Sequence, residues 1–203
     1  REGANRSYHE GIGDLIGLAA SQPPYLEAIG LLEEGEAPDE IRWLLDGALT
    51  GPIVFLPWSA GVMSHFEKEL YADELSLEAL NRRWWELVAE YQGIAPPAER
   101  PADGCDACTT THINDDPAQY YDYALSTVLL FQFHEHIANE ILKQDPRATN
   151  YWGNKQVGAF LRSILAPGAT QDWRALLKET TGSELSAKPM LRYFEPLMAW
   201  LKK

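Results

Sequence analysis

The chain has 203 residues, 45% hydrophobic and 23% charged, which is enough to bury a core and too apolar for a disordered segment. A net charge of −13 argues against nucleic acid and against anionic membrane surfaces, because both are held by Lys and Arg. No run of 18 apolar residues occurs, so the sequence predicts no membrane span.

The chain opens REGANRSYHEG, without Met and without a basic stretch ahead of an apolar one. No signal peptide is read there, and a processed end or an interior point of a longer chain is expected. Apolar residues then recur at helical spacing through most of the sequence. The first helix is predicted over residues 7–20, with Ile12, Leu15, Ile16 and Ala19 facing inward. Pro23 and Pro24 are expected to stop it and to let a short helix start at Tyr25. Asp39 suits the N-cap of a third helix that turns Ile41, Leu44 and Leu45 inward. Gly51 and Pro52 break the chain. The run IVFLPWSAGVM that follows could begin as a strand, but its length and continuation favour a buried helix.

Ser76 is expected to cap the next helix, which carries Leu80, Trp84, Leu87, Val88 and Tyr91 and is closed by Gly93. A Pro-rich loop is predicted from Ile94 to Asp116, with a short strand near residues 111–113. Asp116 and Pro117 look like an N-cap and a first-turn proline. They would open the longest helix, residues 117–143, apolar over much of its surface and so placed in the core. Shorter helices are expected near 153–165, 171–181 and 187–202, the last kinked at Pro196. The fold class is all-α, a single helical region over residues 1–203.

Two places carry chemistry. Glu10 and Asp14 are four residues apart, so they share one helix face a turn from each other. Either a cation, such as a metal or a metal-bound imidazole, lies near them, or they form a solvated acidic stripe with His9 as an ordinary helix residue. The stretch THINDDPAQYYDYAL sets His112 near several tyrosines. It is either a capping loop with aromatic packing or a set of hydrogen-bond donors able to meet negative charge that develops on a reacting oxygen. Cys105 and Cys108 form a lone CxxC, too few thiols for a four-thiolate zinc site. A local disulfide or a pair of free thiols remains.

The segment REGANRSYHEGIGDLIGLA resembles EGANPGFHEAIGD of the angiotensin-converting-enzyme family of gluzincin zinc peptidases, peptidase family M2. FLPWSAGVM, NRRWWELVAEYQGIAPP, FQFHEHI and MLRYFEPLMAWL match further segments of that family in the same order. The resemblance implies the C-terminal helical part of a larger, mostly α-helical zinc-peptidase fold with a deep substrate cleft. It implies a metallopeptidase acting on peptide substrates and releasing dipeptides from their C-termini, secreted or periplasmic. Glu10 then corresponds to the third zinc ligand, and Asp14 to the carboxylate that orients a zinc-binding His. His112 and Tyr123 correspond to the residues that stabilise the transition state, and Tyr120 to one that holds the substrate's C-terminal carboxylate.

The sequence departs from the family in several ways. Its five histidines are His9, His65, His112, His134 and His136, and none forms HExxH. The resemblance implies that two His ligands and the general base lie in an upstream segment, on the same protein or on a second chain. The 203 residues alone are then expected to be inactive. The alternative is an inactive helical module that keeps a peptide groove. One extra residue lies between His112 and Tyr120. Thr110 stands where the family has a Lys of the carboxylate clamp, and Asp122 where the animal enzymes have a chloride-binding Arg. The segment SHFEKEL, from Ser64 to Leu70, replaces a Trp-rich chloride site.

Overall fold

In a computed structural model, which describes residues 5–36, 38–73, 75–101 and 103–203, the chain is helical, with no strand among the described residues. The first four residues of REGANRSYHEG lie outside the described residues. The chain divides into two compact units, Arg1–Gly47 with Leu125–Lys203, and Ala48–Ala124.

The first unit opens with α1 (Arg6–Ala20), whose N-cap Asn5 accepts the Ser7 N–H through its side chain at 2.8 Å. Tyr8, Gly11, Leu15 and Ala19 are buried, while Ile16, expected inward, is 45% exposed. The inner face is set by Tyr8 and Gly11 instead. Tyr8 meets Phe133 and Trp173 edge to face, and its hydroxyl donates to the Trp173 carbonyl at 2.8 Å. Pro23 and Pro24 do not lie ahead of the second helix but form the first turn of α2 (Pro23–Ala28), where a missing N–H costs nothing. In α3 (Glu40–Thr50), Asp39 accepts the Arg42 N–H at 2.9 Å, as a cap should, and Leu44 is buried.

The long apolar helix exists but begins at Tyr121, not at Pro117 (α8, Tyr121–His136). It continues as a π-helical turn over Ile137–Leu142 and ends at Lys143 in the left-handed conformation. Its late start follows from Ala118, whose φ of 58° is incompatible with a helix. Leu129, Phe131, Phe133 and Ile137 are buried on it. So is His134, whose Nε2–H donates to the Pro146 carbonyl at 2.5 Å while Nδ1 accepts the Tyr151 hydroxyl at 2.7 Å. The unit closes with α9 (Lys155–Leu165), α10 (Trp173–Thr181), α11 (Lys188–Tyr193) and α12 (Glu195–Leu201). The expected kink at Pro196 is a full break at Phe194, with Pro196 in the first turn of α12.

His134 makes this unit sensitive to acid. Burial pushes its pKa below 6.5, so the unfolded chain takes up a proton that the folded chain refuses. The His134 contribution to stability is fully present above about pH 6.5 and is lost as pH drops below it, until the folded imidazole itself protonates, by up to about 1.4 kcal/mol per pH unit. Denaturant midpoints at about pH 7.5 and about pH 5.5 should show the loss, and His134→Gln should reduce it. Equal pH slopes in parent and variant would mean that other groups set it.

In the second unit, α4 (Pro52–Leu56), a π-helical turn (Pro57–Met63) and α5 (Ser64–Tyr71) form one run. Ile53 and Val54 are more than half or about half exposed, so only the later part of the IVFLPWSAGVM run is buried as expected. Pro57 has no N–H to bond back to the preceding turn, and the helix widens after it. Val62, Met63 and Phe66 pack on Leu80, Trp84, Leu87 and Val88 of α6 (Leu77–Gln92), which Gly93 closes at φ 66°. The Pro-rich loop is more ordered than expected. It holds a 3-10 turn over Asp106–Thr109 and a short helix, α7 (Thr111–Asp115), in place of the predicted strand. Cys105 and Cys108 are joined in a disulfide. Asp106 accepts the Trp85 indole N–H at 2.7 Å and is paired with Arg100, which, ahead of Trp85, pulls its carboxyl down to about 2.

Gly61 lets the π-helical turn lie directly against α6. A Cβ there would fall 2.4 Å from Cγ of Tyr91, whose ring stacks on His65 and whose hydroxyl bonds His65 Nε2 at 3.0 Å. The ring cannot swing away without giving up that partner. Gly61→Ala should therefore destabilise by about 1–3 kcal/mol in denaturant unfolding. No measurable loss would show that Tyr91 is free to move.

Candidate active site

On α1, Glu10 is half-buried and Asp14 is exposed, one turn apart on the same helix. Although solvent reaches Asp14, its carboxyl is pushed up, first by the protein atoms around it and then by the Glu10 charge. Such a pair is relieved by a cation. The backbone under Glu10 is held tightly: a Cβ on Gly11 would lie 3.2 Å from the Ser126 carbonyl oxygen and 3.5 Å from Leu129 Cβ of α8. The chemistry of the pair fits one carboxylate ligand and one orienting carboxylate of a metal centre. Among the described residues no three His, Cys, Asp or Glu side chains come together to complete one. In HEHIA at 134–138, His134 has both ring nitrogens engaged, so it has none to offer a metal.

The other candidate residues lie in the second unit and are brought together. His112, on α7, places Nε2 3.0 Å from the Tyr123 hydroxyl in the first turn of α8. The His112 ring meets Tyr120 and Tyr123 edge to face, with centroids 4.8 and 5.5 Å away. Phe55 stands edge-on to Tyr123 at 5.7 Å and backs the cluster. Tyr120 is buried and accepts the Trp58 indole N–H at 2.9 Å. Burial pushes its phenol pKa up, with the Trp58 bond opposing and Tyr123 adding, so it stays protonated and keeps its own O–H to donate. His112 and Tyr123 are partly open to solvent, and either can be the donor in their shared bond, depending on the imidazole tautomer.

Two residues of this cluster were not singled out in the sequence. Trp58 reads there only as part of an apolar run. Glu67 reads as part of SHFEKEL, the segment that replaces the Trp-rich one, although it is 4% exposed and accepts the Ala118 N–H at 2.7 Å. The one available signal was its position beside Phe66 on the inner face of α5.

Residues 1–203 match the sequence profile of the family described as angiotensin-converting enzyme. The chain is 36% identical over 207 residues to angiotensin-converting enzyme of Bos taurus, covering 100% of this chain and 16% of that protein. To angiotensin-converting enzyme-like protein Ace3 of Mus musculus it is 35% identical over 208 residues, 99% of this chain and 27% of that protein. To angiotensin-converting enzyme of Haematobia irritans exigua it is 32% identical over 212 residues, 100% of this chain and 34% of that protein. The chain thus spans between 16% and 34% of the length of these relatives.

Proposed function

Because the chain belongs to the angiotensin-converting-enzyme peptidase family, we propose that it is the C-terminal portion, as a single part, of the catalytic domain of a zinc peptidase that releases dipeptides from peptide C-termini. The observation that carries this reading is the pairing of His112 Nε2 with the Tyr123 hydroxyl at 3.0 Å, beside Tyr120.

The donors act on charge that develops during the reaction. Attack on a peptide carbonyl turns its oxygen into an oxyanion, and a phenol and an imidazole N–H aimed at that position lower the barrier by binding it better than the neutral carbonyl. Tyr123 and His112 supply these donors: while Nε2–H donates to the Tyr123 oxygen, the phenol O–H is left to meet the oxyanion, and the imidazole N–H turns to it when that bond opens. Tyr120, its oxygen already accepting from Trp58, turns its O–H to the carboxylate that ends the substrate, which fixes how far from the terminus cleavage falls. Thr110 stands where the family has a Lys, so that part of the carboxylate clamp is absent or supplied elsewhere. Glu10 would be one ligand of zinc, with Asp14 orienting an imidazole ligand, and zinc when bound polarises the carbonyl and activates water. The remaining two ligands and the base come from an HExxH segment, on the same protein or on a partner chain.

Among the described residues no helix is long and apolar enough to cross a membrane. We place the enzyme outside the cytoplasm, secreted or periplasmic, a reading supported by the Cys105–Cys108 disulfide, since such bonds persist in oxidising compartments.

The test is product analysis. The complete enzyme is incubated with an N-blocked peptide carrying a free C-terminal carboxylate, and the products are weighed by mass spectrometry. Dipeptide release that stops when the C-terminus is amidated supports the reading. Saturable peptide binding without any cleavage overturns it in favour of an inactive binding module.

A further inference from the structure

Glu67 is a buried carboxylate that the chemistry above does not use. It sits on α5 at 4% exposure, and taking a carboxylate out of water is costly unless a donor or a positive charge meets it. Burial pushes its pKa up, against the Ala118 N–H and then the charge of His112. The Ala118 bond is short for one from a backbone amide, at 2.7 Å, and it falls on a residue held at φ 58°. A non-glycine residue adopts that conformation only when its surroundings impose it.

The position of Ala118 is what makes the bond matter. Two residues later comes Tyr120 and five later comes Tyr123, both against the His112 ring. The left-handed turn at Ala118 delays the start of α8 to Tyr121, and so sets where both phenols point. One turn along α5 from Glu67, the Tyr71 hydroxyl donates to the Ile113 carbonyl at 3.3 Å, directly after His112. One short helix therefore grips the segment between His112 and Tyr120 at both ends.

We propose that Glu67 is a positioning residue: through the Ala118 N–H its carboxylate holds the turn that brings Tyr120 and Tyr123 onto His112. The inference rests on the reading of His112 and Tyr123 as oxyanion donors. Glu67 touches no reacting atom. It acts by fixing the phenols, and a misplacement of about 1 Å in such a group costs on the order of 100-fold in rate.

The test uses the complete enzyme, with two readouts that do not depend on each other: steady-state peptide hydrolysis and the hydrogen-exchange rate of the Ala118 amide. Glu67→Ala should lower kcat by about 10-fold or more through Tyr123, raise KM through the displaced Tyr120, and speed exchange at Ala118. Glu67→Gln keeps an oxygen where the Ala118 N–H needs an acceptor, and should recover most of both losses. Adding Ala118→Gly to Glu67→Ala should restore part of kcat, because glycine takes a positive φ without strain. Should Glu67→Ala not fold, the Glu67→Gln enzyme still decides: slow exchange and high kcat support the proposal. The proposal is overturned by Glu67→Ala turning over at the parent rate, or by Glu67→Gln being as impaired as Glu67→Ala while exchange at Ala118 is unchanged. A parent enzyme that cleaves no peptide sinks the peptidase reading. The exchange rates then decide the positioning role alone, with unchanged exchange in Glu67→Ala overturning it.

Discussion

In the complete enzyme, Tyr123→Phe lowers kcat on the order of 100-fold or more while KM stays within about 3-fold of the parent. His112→Ala does the same. The expectation follows from what each side chain presents. The phenol of Tyr123 carries one proton, and losing its oxygen removes a donor whose strength counts only once negative charge has formed. The bond between His112 Nε2 and the Tyr123 hydroxyl adds a further signature. The two residues act as one unit, so the double variant should lose far less than the product of the single losses. Steady-state kinetics of the two single variants and the double variant measure all of this. A rise in KM at constant kcat would move both residues from the transition state to substrate recognition. Multiplicative losses would mean that they act separately.

On the proposed reading, zinc content and hydrolysis should rise and fall together, and both should depend on residues beyond Glu10. A catalytic zinc takes three protein ligands and keeps one position open, whereas α1 carries two carboxylates, of which the proposed reading makes Glu10 a ligand and Asp14 an orienting group. The 203-residue chain by itself should hold zinc weakly and cleave no peptide. Supplying an HExxH segment, on the same chain or as a second one, should restore both. In that restored enzyme Glu10→Ala should abolish stoichiometric metal, and Asp14→Asn should weaken it by about 10- to 100-fold. Metal analysis after dialysis, alongside a peptide assay, reads both quantities. Tight stoichiometric zinc and turnover in the isolated 203 residues, lost in Glu10→Ala, would mean that a complete site exists within them.

Where a residue's environment is local, the sequence revealed it. Asp39 and Gly93 act as the cap and the stop that their types suggest, and the apolar stripe of α6 is buried as its spacing implies. Departures arose where a distant partner decides. The face of α1 is turned away from Ile16 because Tyr8 reaches the Trp173 carbonyl, 165 residues on. The strand expected near residues 111–113 is a helix, in a loop that the disulfide and Asp106 had already ordered. The long helix starts four residues late, after a left-handed Ala118 whose N–H donates to Glu67, 51 residues earlier. In the candidate site, His112, Tyr120 and Tyr123 were legible because they lie within one stretch. Trp58, whose indole bonds Tyr120 across 62 residues, was not.

The two groups of candidate residues stand on helices of very different size. Glu10 belongs to a 15-residue helix with a buried face, pressed on α8 at Gly11. His112 belongs to a five-residue helix without a side-chain N-cap, and a helix that short has no stability of its own. What closes α7 is a handful of side-chain bonds, from Tyr71 to Ile113 and from Asn114 to the Cys108 carbonyl among them. The free energy of opening it is therefore a small part of the global value. Turnover is weighted by the fraction of molecules in which α7 is closed. On the proposed reading, warming should deplete that fraction before the core melts, so that the rate turns down while circular dichroism still reports a folded protein.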